Sequence, residues 1–148
     1  MSQITDMTHK ANLVAVAPLQ VRNATTTGSP VNRGAAVVGG PYQALTFFVI
    51  VGTVTDGAHP LTMLESADGI TYTPVAMVDL IIASGNSAPK DVNGNYTAAF
   101  GPLVTNMPQK VGYIGLQPYV NLTSVDTGAT GAAYSVYALL SSPLHLPV

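Results

Sequence analysis

Apolar residues in this chain recur in short runs with a two-residue alternation. No window of about eleven residues joins a helical period to good helix formers. β-Branched residues, glycine and proline divide the sequence into short segments that predict strands. The clearest is Ala44–Thr55, where Leu45, Phe47, Val49 and Val51 point one way and Phe48 and Ile50 the other. With both faces apolar, this strand is expected to be central and covered on both sides. Further strands are predicted at Leu19–Thr27, Val31–Val38, Pro60–Ser66, Ile70–Val78 with an extension over Asp79–Ala83, Asn95–Val104, Val111–Leu122 and Ala132–Leu140. In Val111–Leu122 the alternation places Ile114, Leu116, Val120 and Leu122 on one face.

The punctuation between these runs has a physical basis. Asp56-Gly57 and Asp68-Gly69 are tight-turn pairs, in which Asp tolerates the turn position and Gly takes positive φ without strain. Ser84–Gly94 and Ser124–Gly131 are loops rich in turn formers, and Asn106–Lys110 is a turn. About eight body strands at this spacing predict an all-β, antiparallel sandwich, with an eight-stranded jelly roll as first choice and an immunoglobulin-like sandwich as second. The expected organisation is an extended N-terminal arm at 1–18, a sandwich body at 19–140 and a C-terminal tail at 141–148. Asn12–Ala17 is expected to be a strand that pairs only in an assembly, so that residues 1–17 are removable without unfolding the body.

Composition narrows the function. Only five basic and seven acidic side chains occur in 148 residues, 8% charged, against about 25% in ordinary soluble domains. Five cations and a net charge of −2 neutralise few phosphates, which argues against a nucleic-acid partner. With no cysteine, disulfides, thiolate nucleophiles and Cys-ligated metals drop out. The apolar stretches break too early for a membrane-spanning helix, and Met1–Asp6 lacks the basic and apolar regions of a signal peptide. A neutral surface of Thr, Ser, Asn and Ala suits burial against neighbours, because interface cores are depleted in charge.

Candidate chemistry is sparse, and neither a cofactor nor a metal site is expected. His9, His59 and His145 have no metal-ligand spacing. His59 lies near Asp56, Glu65 and Asp68, either as a small acid/base cluster or as decoration on two exposed hairpin ends, and the turn context favours decoration. Asp79, Asp91 and Asp126 are solitary in sequence. No Gly-rich phosphate loop and no Gly-x-Ser-x-Gly elbow is present, so no catalytic residue is assigned. The seven tyrosines suit either sugar stacking or interface anchoring on one side, and cross-strand pairing within the sandwich on the other.

One segment carries more. Gly52-Thr-Val-Thr-Asp-Gly57, the strand ending Glu65-Ser-Ala-Asp-Gly69, and Thr71-Tyr-Thr-Pro-Val75 form a continuous pattern. It resembles a stretch recurring in small structural proteins of tailed bacteriophages, with Tyr72 where Trp is common. The resemblance covers about 35 residues, and its turns follow from ordinary turn chemistry. It implies a head decoration, or cement, protein with a jelly-roll-like body on the capsid exterior. Its implied partners are the major capsid protein and further copies of itself, a trimer favoured over a dimer. No catalytic residues come with that family. The candidate interface residues are Asn12, Leu13, Val14, Val16, Leu19, Tyr42, Tyr72 and Tyr137. The Glu65–Tyr72 hairpin also resembles one in discoidin-type sandwiches, which keeps a carbohydrate-binding module as the second reading.

Overall fold

The computed structural model describes residues 11–22, 24–34, 42–83 and 88–143. Among them the chain forms ten strands: β1 Ala11–Arg22, β2 Thr26–Thr27, β3 Val31–Asn32, β4 Tyr42–Val54, β5 Leu61–Ser66, β6 Thr73–Pro74, β7 Leu80–Ile82, β8 Gln109–Tyr113, β9 Tyr119–Ser124 and β10 Ala132–Pro143. A single 3-10 turn, Met77–Asp79, precedes β7. The strands build two antiparallel sheets. Sheet A has the order β1-β10-β4-β8-β7; in sheet B, β9 lies between β5 and the short β2 and β3, with β6 outside β5.

Strand alternation explains why the sheets pack. Leu45, Phe47, Val49 and Val51 of β4 and Val136, Ala138 and Leu140 of β10 are buried on one side of sheet A. They meet Leu61 and Met63 of β5 and Val120 and Leu122 of β9 in one core. Each strand contributes its inward face at a two-residue period, as a sandwich requires. The pairing is also nested: β1 pairs with β10, β2 and β3 with β9, β4 with β8, and β5 with β6. The chain is therefore a long two-stranded ribbon bent over on itself, and β10–β4 and β9–β5 pairing joins its turns into sheets.

Several expectations change. Pro18 does not end the first strand. β1 runs through it, paired to β10 of the same chain, with register irregularities between Ala15 and Ala17 and between Ala17 and Gln20. A proline fits there because an edge strand with a bulge needs no N–H at that position. The expected arm is thus part of sheet A from Ala11 onward, while residues 1–10, and 144–148 of the expected tail, lie outside the described residues. Of Val31–Val38 only Val31–Asn32 is strand in the described part. Leu19–Thr27 divides between β1 and β2, and in Ile70–Val78 only Thr73–Pro74 is strand.

Asn95–Val104 is not a strand, apart from a single bridge between Lys90 and Tyr96. The buried amide of Gln109 takes the place of a ladder there: its Oε1 accepts from Gly101 N (2.9 Å) and its Nε2 donates to the carbonyls of Gly101 and Pro102. Val111–Leu122 is two strands, not one. The chain leaves sheet A after Tyr113 and enters sheet B at Tyr119, so Ile114 and Leu116 are exposed while Val120 and Leu122 are buried. Gly115 and Pro118, within the crossing, are the breakers that mark it.

Candidate functional site

The second apolar face of β4 has no cover among the described residues. Two rows run across the outer side of sheet A from the β1 edge. One is Ala15–Tyr137–Phe48–Lys110, on β1, β10, β4 and β8. The other is Leu13–Leu139–Thr46–Gly112–Ile81 and reaches β7. Leu13 is 62% exposed, Ile81 57% and the nearby Ile50 51%, while Phe48, Tyr137 and Leu139 are half-buried. Lys110 is the one charged side chain in the two rows. The expectation that β4 is covered on both sides therefore holds on its inner face only. Sheet B covers that face, whereas the outer one keeps Ile50 51% exposed, with Ser135 beside it buried.

The candidate interface residues scatter across the molecule. Leu13 and Tyr137 lie on this outer face. Val14 is half-buried and packs against the core. Val16 and Tyr42 are buried within the chain itself, a correction to their expected interface role that follows from β1 and β4 being body strands. Asn12 and Leu19 lie on β1, with side chains outside the described part. Tyr72 is half-buried next to β6 and turns its hydroxyl out of solvent. Phe48, Ile50, Leu139 and Ile81 were not singled out as interface residues, although the alternation of β4 was the signal that marks two of them.

Buried polar side chains gather at the two ends of the sandwich. At one end, Asp126 accepts from Ser124 Oγ (2.5 Å) and Tyr134 Oη (3.0 Å to Oδ2), and His59 Nδ1 lies 3.0 Å from its Oδ1. His59 Nε2 reaches the carbonyl of Asp56 at 2.9 Å, and Arg22 stacks over the Tyr134 ring at 5.1 Å. The Asp56 carboxylate accepts from the N–H groups of Ala129, Thr130 and Gly131, which hold its carboxyl below the usual range. Ala58 and Thr127 exchange further backbone and hydroxyl bonds, so the 55–60 and 125–131 loops are laced together.

The opposite end repeats the plan. Arg33 stacks over the Tyr113 ring at 4.8 Å, Tyr113 Oη donates to Glu65 Oε2 (2.5 Å), and Arg33 donates to the carbonyls of Gly115 and Gln117. Burial lowers the Arg33 pKa from its ordinary value, and burial followed by the bond to Glu65 raises that of Tyr113. Each cluster joins a tyrosine of sheet A to a carboxylate of sheet B or its adjoining loop. Together they fix the sheets relative to each other at both ends.

His59 is thus buried, not exposed, and Asp126, solitary in sequence, is its partner. The residue types resemble a Ser-His-Asp set, yet the contacts serve another end. Ser124 donates to the carboxylate, and both imidazole nitrogens face oxygen acceptors. A nucleophile hydrogen-bonded to its base, the geometry acyl transfer uses, is not what these atoms make. The arrangement ties loops to sheets. Beside it, a cleft of about 370 Å³ is walled by Pro60, Pro89, Phe100, Pro102 and Leu103.

The Ser66–Thr71 turn explains its own motif. Ser66 Oγ donates to Asp68 Oδ1 and accepts from Gly69 N, while Asp68 Oδ1 accepts from Ile70 N and Thr71 N (both 2.8 Å). Those N–H groups hold the Asp68 carboxyl down to about 2. None of the seven tyrosines is exposed: Tyr42, Tyr113 and Tyr134 are buried and the other four half-buried. Among the described residues, no group of His, Asp and Glu could hold a metal, and no helix is long and apolar enough to cross a membrane. Compared with known proteins, the chain matches no family model, no curated protein and no solved structure.

Proposed function

We propose that this chain is a structural virion protein: a decoration, or cement, protein that binds the outer surface of a capsid and stabilises contacts between its major subunits. The observation that carries this reading is the outer face of sheet A, where two cross-sheet rows hold one charged side chain between them. A protein that works alone is kept apart from its neighbours by mixed surface charge, and a contiguous apolar face marks an interaction site. The fold supports the same reading. Nested pairing of first strand with last, wrapped into the orders β1-β10-β4-β8 and β2/β3-β9-β5-β6, is what a jelly roll of two Greek keys requires. The clusters at both ends supply the rigidity that a clamp between capsomers needs. The carbohydrate-binding reading has less support, since the rings it would use are turned inward or half-covered.

The test is binding to expanded, undecorated capsids. The native chain is expected to co-sediment with them and raise their disassembly temperature. Ile50→Lys and Ile81→Lys, on exposed positions of the outer face, are expected to abolish binding while leaving the melting temperature of the free chain in place. Capsids that take up neither the native chain nor the variants, or both equally, overturn the proposal.

A further inference from the structure

We propose that the free edge of β1 is the seam of a twofold homodimer, in which residues Ala11–Ala15 of two copies pair antiparallel and join their sheets A into one continuous sheet. The inference rests on the assembly reading above and deepens it by naming the contact between copies.

Edge length comes first. β1 has 12 residues, and among the described residues the one strand it pairs with is β10, which leaves the other side of its first half as an edge there. The remaining edges are short: β7 has three residues, and β2, β3 and β6 two each. Short edge strands are one of the ways proteins prevent edge-to-edge pairing, and charged side chains are another. β1 uses neither over its first half. From Ala11 to Val21 it contains no Asp, Glu, Lys or Arg, and Arg22 is buried on Tyr134.

Symmetry gives that neutrality a direct meaning. In an antiparallel pair of Ala11–Ala15 across a twofold axis, Leu13 faces its own counterpart and Ala11 faces Ala15 of the second copy, so a charge at the axis would oppose itself. A strand with no charge is the one that satisfies this condition. Pairing there also extends the outer face across the seam, since exposed Leu13 would lie beside Leu13 of the second copy and exposed Ala15 beside its Ala11.

The seam has limits that the structure sets. The register irregularities begin after Ala15, and the Val16 carbonyl already accepts from Ser29 N at 2.8 Å. This leaves the ladder short, and each contact is correspondingly weak until many act together on a shell. The competing arrangement, stacking of two outer faces, would bury Lys110. Edge pairing leaves Lys110 on β8, three strands from the seam, or about 14 Å at the usual strand spacing. A twofold seam also departs from the threefold assembly that the sequence resemblance favours.

The test is sedimentation of the full chain over a concentration series. The native chain is expected to move from its monomer mass of 15.2 kDa toward twice that value. Leu13→Lys with Ala15→Lys is expected to weaken dimerisation by about tenfold or more at unchanged melting temperature, because like charges then face each other across the seam. Ile81→Lys, on the same face but at the far edge, is expected to leave the dimer intact. Should the double variant not fold, hydrogen exchange of the native chain decides: amides of residues 11–15 are expected to gain protection as concentration rises. A chain that remains monomeric or forms trimers overturns the proposal, as does a dimer broken by Ile81→Lys but not by the β1 variant, or β1 amides indifferent to concentration. A dimer that binds no capsid defeats the cement reading alone, and a monomer that binds capsids defeats the seam alone.

Discussion

Asp126 takes hydrogen bonds from Ser124 and Tyr134 and holds the His59 ring, all inside the body. Asp126→Ala would leave three buried polar groups without that acceptor, at about 1–3 kcal/mol each when unsatisfied. The expected loss is about 3–5 kcal/mol in urea unfolding, in line with the breaking of other buried pairs. Acid and alkali act on different residues. Backbone N–H groups hold Asp56, Asp68 and Asp91 below the usual carboxylate range, Asp68 at about 2. The unfolded chain takes up protons on these groups from about pH 4 downward, so their contribution is complete above that pH and is lost as pH falls toward 2. Burial, aided by Asp126, pushes the Tyr134 hydroxyl up to about 12, against a smaller lowering from its bond with Ser124. Its contribution is complete below about pH 10 and is lost as pH rises through 12. Melting temperatures across pH are expected to fall on both limbs; Asp68→Asn should flatten the acid limb and Tyr134→Phe the alkaline one.

At the scale of elements, β1 reverses one expectation. Removing residues 1–17 would take the first seven residues of the 12-residue β1 and pull Val16 and Ala17 out of the core. That truncation is expected to unfold or strongly destabilise the body in thermal melts, whereas removal of residues 1–10 leaves β1 whole. Phe47, fully buried at the centre of β4, is expected to cost about 3–5 kcal/mol on change to Ala. Gly57 has φ +83°, and a Cβ there would overlap the Thr127 carbonyl, so Gly57→Ala should loosen the lacing of the two loops. Much of this was legible in the sequence: β4, β5 and β10 follow from alternation, and the two Asp-Gly turns from turn chemistry. Two features were not. Asn95–Val104 has a strand-like composition, but its backbone at Gly101 is satisfied by the Gln109 side chain, a contact with no sequence period. The crossing between β8 and β9 was hidden because alternation continues through it while the chain changes sheets.

For the whole molecule, burial takes three of the few charges off the surface. Arg22 and Arg33, two of the five cations, are buried on tyrosines, and Asp126 is buried with them. Sequence alternation marked both faces of β4 as apolar, yet it carries no information on which face sheet B covers. That is why Leu13 and Tyr137 were found on the open face while Val16 and Tyr42 went to the core. Because the open face is nearly uncharged, capsid binding is expected to change little between low and high salt, and a steep dependence would point to charged contacts elsewhere. The most direct measurement is a mass-spectrometric count of this chain in purified virus particles from the cells that make it, with electron microscopy of the same particles. The account predicts the chain in a fixed ratio to the main shell subunit, with density at symmetry-related positions on the outer surface. Particles that lack the chain, or carry it in no fixed ratio, would contradict it.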